Sequence, residues 1–318
     1  MTLDHVEAST GSPPDAGFLE EVLRGLSLPQ KTLPSRFLYD ARGSELFERI
    51  TELPEYYPTR TEIALLKSCA PSISKAVPAG AAIVEFGSGS SRKTELLLES
   101  LNGPAAYIPI DLSASALYPA ARRIAQNFPG LRVYTILGGF HDLEGIKLPF
   151  EGCPRAGFFP GSTVGNLTRP EAVSFLRAAR TLLGRNAVFL IGADLQKPLD
   201  ILLPAYDDAQ GVTAAFNRNI LTRINRELRG TFDPSLFDHA AVYNECEGRI
   251  EMHLRAMRAH RVYVASRPFE FRAGETIHTE NSHKYTVQGF RQLAAEGGWS
   301  VRAAWTDEKA LFSLHMLA

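Results

Sequence analysis

The chain has 318 residues, 45% of them hydrophobic and 22% charged, with a formal net charge of −1. That balance supports a sizeable globular core and supplies no bulk basic field, so neither nucleic acid nor a membrane surface is expected as a partner. Cys69, Cys153 and Cys246 form no CxxC pair, which argues against a disulfide framework or thiolate metal site and fits a reduced, cytoplasmic protein.

The start, MTLDHVEASTGSPPDAG, is polar and lacks the apolar core of a signal peptide; residues 1–16 read as a disordered tail. No run of about 18 apolar residues follows anywhere, so no membrane span is expected. Residues 17–27 read as a short amphipathic helix, and 43–51 and 60–76 as helices on either side of LPEYYPTR. An alternation then begins: strand 81–86, helix 92–101, strand 105–111, helix 113–128, strands 131–137 and 155–161, helix 169–183, strand 186–194. Apolar strands alternating with amphipathic helices imply βαβ units around a buried parallel sheet.

After Asp194 the rhythm changes. Residues 208–228 read as one long helix. GRIEMHLRA (248–256) alternates like a half-exposed antiparallel strand, and VYVASRPFEF and residues 278–285 look similar. A helix (286–298) and two strands (301–307 and 310–317) close the chain, and so short a turn makes the last pair antiparallel. The expected architecture is therefore α/β: a Rossmann-like sheet with a reversed last strand from residues 60–196 and 286–318. An α+β lobe from 17–59 and 197–285 is inserted into it, and pockets often lie between such lobes.

IVEFGSGSSRKTE (83–95) puts a glycine loop between a strand and a helix, where open parallel sheets bind ligands. A triphosphate loop needs GxxxxGK[ST]; Lys93-Thr94 fits, but the second glycine is Arg92. A nicotinamide fingerprint needs a third glycine at the same arginine. A glycine turn without a ligand stays open as well. An adenosyl group needs close backbone approach at Gly87 and an acid ending the next strand, where Asp111 stands ready to bind ribose hydroxyls. The reversed last strand marks one class of S-adenosylmethionine methyltransferases, which favours this reading.

Four blocks, YDARGSELFERITELPEYYPTRTE (39–62), VEFGSGSSRKTELLL (84–98), FFPGSTVGNL (158–167) and AYDDAQGVTAAFNRNIL (205–221), resemble the histidine Nα-methyltransferases of ergothioneine biosynthesis. The resemblance runs from about residue 20 to the C-terminus. It implies a class I methyltransferase sheet and methylation of L-histidine by S-adenosylmethionine, three times, to hercynine by a monomeric enzyme. It also implies that Gly87, Lys93 and Asp111 hold the cofactor, that Asn166 and Tyr206 clamp the substrate carboxylate, that Tyr39 approaches the amine, and that Tyr56, Glu280 and Ser282 read the imidazole. Glu280 and Ser282 are at strand spacing, so they share a face. One departure stands out. The family commonly has an acid followed by Phe at the adenine, whereas here the residues are Gly138-Gly139-Phe140. Phe140 can still stack on the ring, and Asp142 follows two residues later.

Blander readings accompany each residue. Tyr56 and Tyr57 could be packing aromatics, Asn166 a turn former, and Glu280 and Ser282 solvated strand residues. His253, His278 and His283 read as surface histidines, so no metal is expected. Asp207-Asp208 fits a helix start. The functional alternatives are a relative acting on another amino acid, or a cofactor-binding protein without turnover.

Overall fold

The computed structural model describes residues 6–10, 17–89, 91–139, 143, 145–150 and 152–318. In chain order the elements begin with β1 (Val6–Thr10), α1 (Phe18–Leu26), β2 (Lys31–Thr32), α2 (Ala41–Thr51) and α3 (Tyr57–Ala76). The alternating stretch follows: β3 (Ala82–Phe86), α4 (Arg92–Ser100), β4 (Ala106–Asp111), α5 (Ala114–Asn127), β5 (Arg132–Leu137), β6 (Arg155–Phe159), α6 (Arg169–Leu183) and β7 (Val188–Asp194). Then come α7 (Leu199–Leu202), α8 (Val212–Leu228), β8 (Phe237–Asn244), β9 (Arg249–Ala256), β10 (His260–Val264), β11 (Arg267–Phe271) and β12 (Thr276–His283). The chain closes with α9 (Val287–Glu296), β13 (Val301–Thr306) and β14 (Phe312–Leu317). These elements form two compact units, one built from Pro58–Gln196 and Lys284–Ala318 with β1, the other from 17–57 and Lys197–His283.

The first unit is an eight-stranded sheet in the order β1-β5-β4-β3-β6-β7-β14-β13. Its members pair in parallel except β14, which runs antiparallel to both β7 and β13. Leaving β1 aside, this is the class I methyltransferase order with its reversed strand. Every residue of β3 and β7 is buried, as both-face coverage by helices requires. One face packs Val84, Ile108 and Phe189 with Phe175 of α6 and Phe290 of α9. The other packs Ile83, Tyr107 and Phe158 with Leu65 and Ile73 of α3, Leu97 of α4 and Ile124 of α5. Within the expected tail, Val6–Thr10 run parallel to β5; residues 1–5 and 11–16 lie outside the described residues.

The second unit holds a four-stranded sheet, β2-β12-β9-β8, and a β10-β11 hairpin. Helix α8 packs on α2 and β8, with Phe216, Ile220 and Ile224 buried along one side. It starts at Val212 rather than 208, because the Asp208 carboxylate accepts the backbone N–H of Val212 (3.0 Å) and Thr213 (2.7 Å) and caps it. VYVASRPFEF, which looks like one strand in sequence, is instead a hairpin turning at Ala265 and Ser266, both at positive φ (45° and 68°). Such turns usually announce themselves with Asn-Gly or Asp-Gly, and this one does not. Strand β8 has no counterpart in the sequence reading; half-exposed Ala240, Ala241 and Tyr243 blur its alternation. Among the described residues no helix is long and apolar enough to cross a membrane.

Gly157, in the middle of β6, is set by packing. A Cβ there would lie 2.5 Å from the Phe189 ring and 2.7 Å from Leu183 Cδ1. Gly157→Ala should therefore cost about 1–3 kcal/mol from overpacking, read as a lower urea midpoint at unchanged slope. Wild-type stability in that variant would show that Phe189 and Leu183 give way freely.

Candidate active site

At the carboxyl ends of β3 and β4 the chain makes a left-handed loop: φ is 67° at Gly87, 49° at Gly89 and 54° at Ser91. The Gly87 N–H donates to the Ile110 carbonyl (2.8 Å), tying the loop to β4. Among the described residues nothing lies within 4 Å of a Cβ placed on Gly89, so the loop offers bare backbone there. Asp111 ends β4, and its carboxylate accepts the N–H of Gly89 on one oxygen and of Ser113 on the other, both at 2.8 Å. Burial pushes this carboxyl above its ordinary range, and the amides pull it back. Glu85, two residues before Gly87, is 1% exposed. It accepts the Thr94 hydroxyl (2.7 Å) and the Tyr107 hydroxyl, yet burial pushes its pKa up to about 8. Gly139 lies beyond β5, where the nearest described atoms to an added Cβ belong to the flexible Leu112 side chain, at 3.2 Å. Phe140, Asp142 and Ser90 lie outside the described residues.

Lys93 stands in the first turn of α4, with Nζ 2.6 Å from the Glu62 carboxylate. Glu62 is fully buried and also accepts the Gly161 N–H (2.9 and 3.1 Å). Glu62 sits in the apolar stripe of α3 with Leu65, Leu66, Cys69 and Ile73; an acid in that stripe is the signal by which the sequence marks it. A second ion pair, Lys284–Asp194 at 2.7 Å, has both side chains fully shut off from water. It joins the end of β7 to the segment after β12, and the Asp194 N–H donates to Ser162 Oγ (2.9 Å). Nearby, half-buried Asn166 closes the 3-10 turn Thr163–Asn166.

The second unit gathers five expected residues. The Tyr39 hydroxyl donates to Glu280 Oε1 at 3.4 Å, and the Tyr206 hydroxyl is 2.7 Å from Ser282 Oγ. The Tyr39 ring meets Phe47 (5.5 Å) and Phe216 (5.4 Å) edge-on; Phe47 in turn meets Tyr56 (6.3 Å), and Tyr56 meets Tyr206 (6.4 Å). Burial, then the Glu280 charge, raises the Tyr39 phenol pKa well above its ordinary value. Glu280 and Ser282 are 9% and 5% exposed, so the solvated reading fails. A β-bulge between His278 and Glu280 sets Glu280 opposite Met252 and turns it to the buried face.

Around this group stand supports that the sequence did not reveal. Asp40 caps α2 through the Gly43 N–H (2.8 Å) and is held by Asn219 (2.7 Å) and Arg226 (2.7 Å), which fixes the turn that carries Tyr39. His239 donates from Nε2 to the Tyr206 carbonyl (2.8 Å), while Asn217 Nδ2 donates to its Nδ1 (2.9 Å). Phe47 and Phe216 read in sequence only as apolar helix positions. His253 and His278, expected on the surface, are instead stacked, with centroids 4.8 Å apart.

The structure thus brings Tyr39, Tyr56, Tyr206, Glu280 and Ser282 together in one unit. It places Gly87, Lys93, Asp111, Gly139 and Asn166 in the other. The chemistry available is a strand-tip carboxylate beside bare backbone in the first, and an aromatic pocket wall with one acid and several hydroxyls in the second.

Comparison with known proteins follows the same lines. Residues 18–318 match the family described as histidine-specific methyltransferase, SAM-dependent. The chain is 42% identical over 301 residues to a histidine N-alpha-methyltransferase of Mycolicibacterium smegmatis, covering 93% of each protein. It is 41% identical over 313 residues to the protein of that name from Mycobacterium tuberculosis, covering 96% of each. It is also 29% identical over 303 residues to ergothioneine biosynthesis protein 1 of Schizosaccharomyces pombe, covering 92% of this chain and 39% of that one.

Glu85 yields a pH prediction. The native state keeps its proton up to about pH 8, whereas an unperturbed glutamate releases it near 4.5. The folded chain therefore binds more protons in that window, and stability falls as pH rises through it, by up to about 1.4 kcal/mol per pH unit. Urea titrations between about pH 5 and 8 should show this fall in the wild type relative to Glu85→Gln. A pH-independent difference would mean that Glu85 is ionised in the folded protein.

Proposed function

The chain belongs to the histidine-specific, S-adenosylmethionine-dependent methyltransferase family, and we propose that it methylates the α-amino group of L-histidine three times, giving hercynine, the first step of ergothioneine biosynthesis. The observation that carries the substrate is the pair of contacts Tyr39–Glu280, part-buried, and Tyr206–Ser282, buried, made by two residues on one face of β12.

The first unit fits the cofactor. Gly87 and Gly89 give close backbone approach, and Asp111, its two oxygens oriented by amides, suits a ribose diol. Gly139 and Phe140 would flank the adenine. Lys93, paired with Glu62, would set the loop from the start of α4. When bound, S-adenosylmethionine supplies an electrophilic methyl carbon on a sulfonium.

The remaining work falls to this chain's side chains. Glu280 would accept the imidazole N–H and Ser282 serve the other ring nitrogen, with Tyr56 against the ring. Asn166 and Tyr206 are the proposed carboxylate ligands. Tyr39 cannot be a general base, because burial and Glu280 keep its phenol protonated. Its hydrogen points to Glu280 and its oxygen lone pairs are left for an amine N–H. The amine reacts as the neutral form and its proton leaves to water, so the protein contributes mainly by positioning. Each methyl replaces one N–H, and the third leaves a quaternary nitrogen with no lone pair, which ends the series. The cationic product suits the aromatic surroundings. The enzyme would act as a monomer, and in the cytoplasm, where its three free cysteines stay reduced.

Incubation with S-adenosylmethionine and L-histidine should add mass in three steps of about 14 units, as successive displacements between positioned reactants require. Gain only with another amino acid would overturn the substrate, and gain with none would overturn the activity. Glu280→Ala should raise KM for histidine about tenfold or more, by loss of a buried charge-assisted hydrogen bond, and leave KM for the cofactor nearly unchanged. Equal changes in both would remove Glu280 from imidazole recognition.

A further inference from the structure

The same sheet carries a second constellation on its other face. On β9, Glu251 and His253 are two residues apart and point the same way, while Met252 between them faces Glu280. His278 on β12 stands directly across from His253. The bulge after His278 therefore parts the two sets: Glu280 and Ser282 on one side, Glu251, His253 and His278 on the other.

One ligand atom from each of these three residues lies within 4.8 Å of the other two. The donors are oriented by neighbours. Arg249 (2.7 and 2.8 Å) and Asn244 (2.9 Å) both bond Oε1 of Glu251. Its Oε2 is thereby turned to the histidines, 3.0 Å from His253 Nε2. His278 donates from Nε2 to the Glu280 carbonyl (3.1 Å), so its Nδ1 keeps a lone pair. That N–H to carbonyl bond is the usual outer support of a metal-bound imidazole. Among the described residues, His253 Nδ1 is buried with no hydrogen-bond partner. On the neighbouring strand β8, small Ala240 pairs with His253, and Val242, 43% exposed, pairs with Glu251, so solvent reaches this face at its edge.

We propose that Glu251, His253 and His278 form a site for a divalent transition ion of the zinc type, with solvent completing the coordination. Two imidazoles and one carboxylate are a borderline donor set that suits Zn²⁺ and its neighbours rather than Mg²⁺ or Ca²⁺. The Arg249 guanidinium repels any cation here, which further disfavours ions that bind imidazole weakly. An ion on His278 Nδ1 would fix the Nε2–H tautomer and so brace the carbonyl of Glu280 at the bulge. The site rests on the β9–β12 geometry alone, and its failure would leave the methyl-transfer reading untouched.

Calorimetry of the full chain with Zn²⁺ at neutral pH should show one equivalent bound, and Mg²⁺ none. His253→Asn and His278→Asn should each weaken it about tenfold or more, as loss of a ligand requires. Far-UV circular dichroism reports whether the variants fold. If they do not, the wild type decides: Zn²⁺ should shift the imidazole resonances of two of the eight histidines, assigned as His253 and His278. Absence of binding, binding that survives both substitutions (as at exposed Cys246), or shifts at other histidines would overturn the site.

Discussion

Glu62, Glu85 and Asp194 are almost wholly shut off from water, and each must find donors inside the protein. An unpartnered buried carboxylate is costly enough to unfold a domain of ordinary stability. The solutions differ. Glu62 takes a lysine and a backbone amide, Asp194 takes a lysine, and Glu85 takes two hydroxyls and holds its own proton into the alkaline range. Each solution ties together segments far apart in sequence. Glu62 joins α3 to α4 and to the loop after β6; Asp194 joins β7 to the strand-end at Lys284. The glycine loop after β3 is thus shaped by burial of charge as much as by its glycines.

The second unit meets a related constraint with one extra residue. Without the bulge, Glu280 would follow the parity of His278 and lie on the face of Glu251. With it, Glu280 faces Met252 and Tyr39. A single inserted residue thereby separates an acid-and-hydroxyl set from a histidine pair on the two faces of one thin sheet. The aromatic rings of Phe47, Phe216 and Tyr56 then enclose Tyr39 so that its phenol is a hydrogen-bonding group and not a base.

Much of the first unit was legible because its rules are local. Apolar strands buried on both faces, amphipathic helices and a glycine loop ending a strand are short-range patterns, and β3 to β7 fall within a few residues of where those patterns put them. The acid at Asp111 was legible for the same reason. The β10-β11 turn was not, because Ala265 and Ser266 adopt positive φ without the residues that favour it. Strand β8 was not, because edge position weakens alternation.

The sequence by itself determined the parallel sheet, its reversed last strand and the blocks that mark the family, since periodicity and motif spacing are written in consecutive residues. Only the tertiary structure decided which way Glu280 points, which partners hold Glu62 and Asp194, and that His253 and His278 stack. Those outcomes depend on cross-strand register and on contacts between residues as much as 241 positions apart, and strand periodicity carries no information about register once a bulge intervenes.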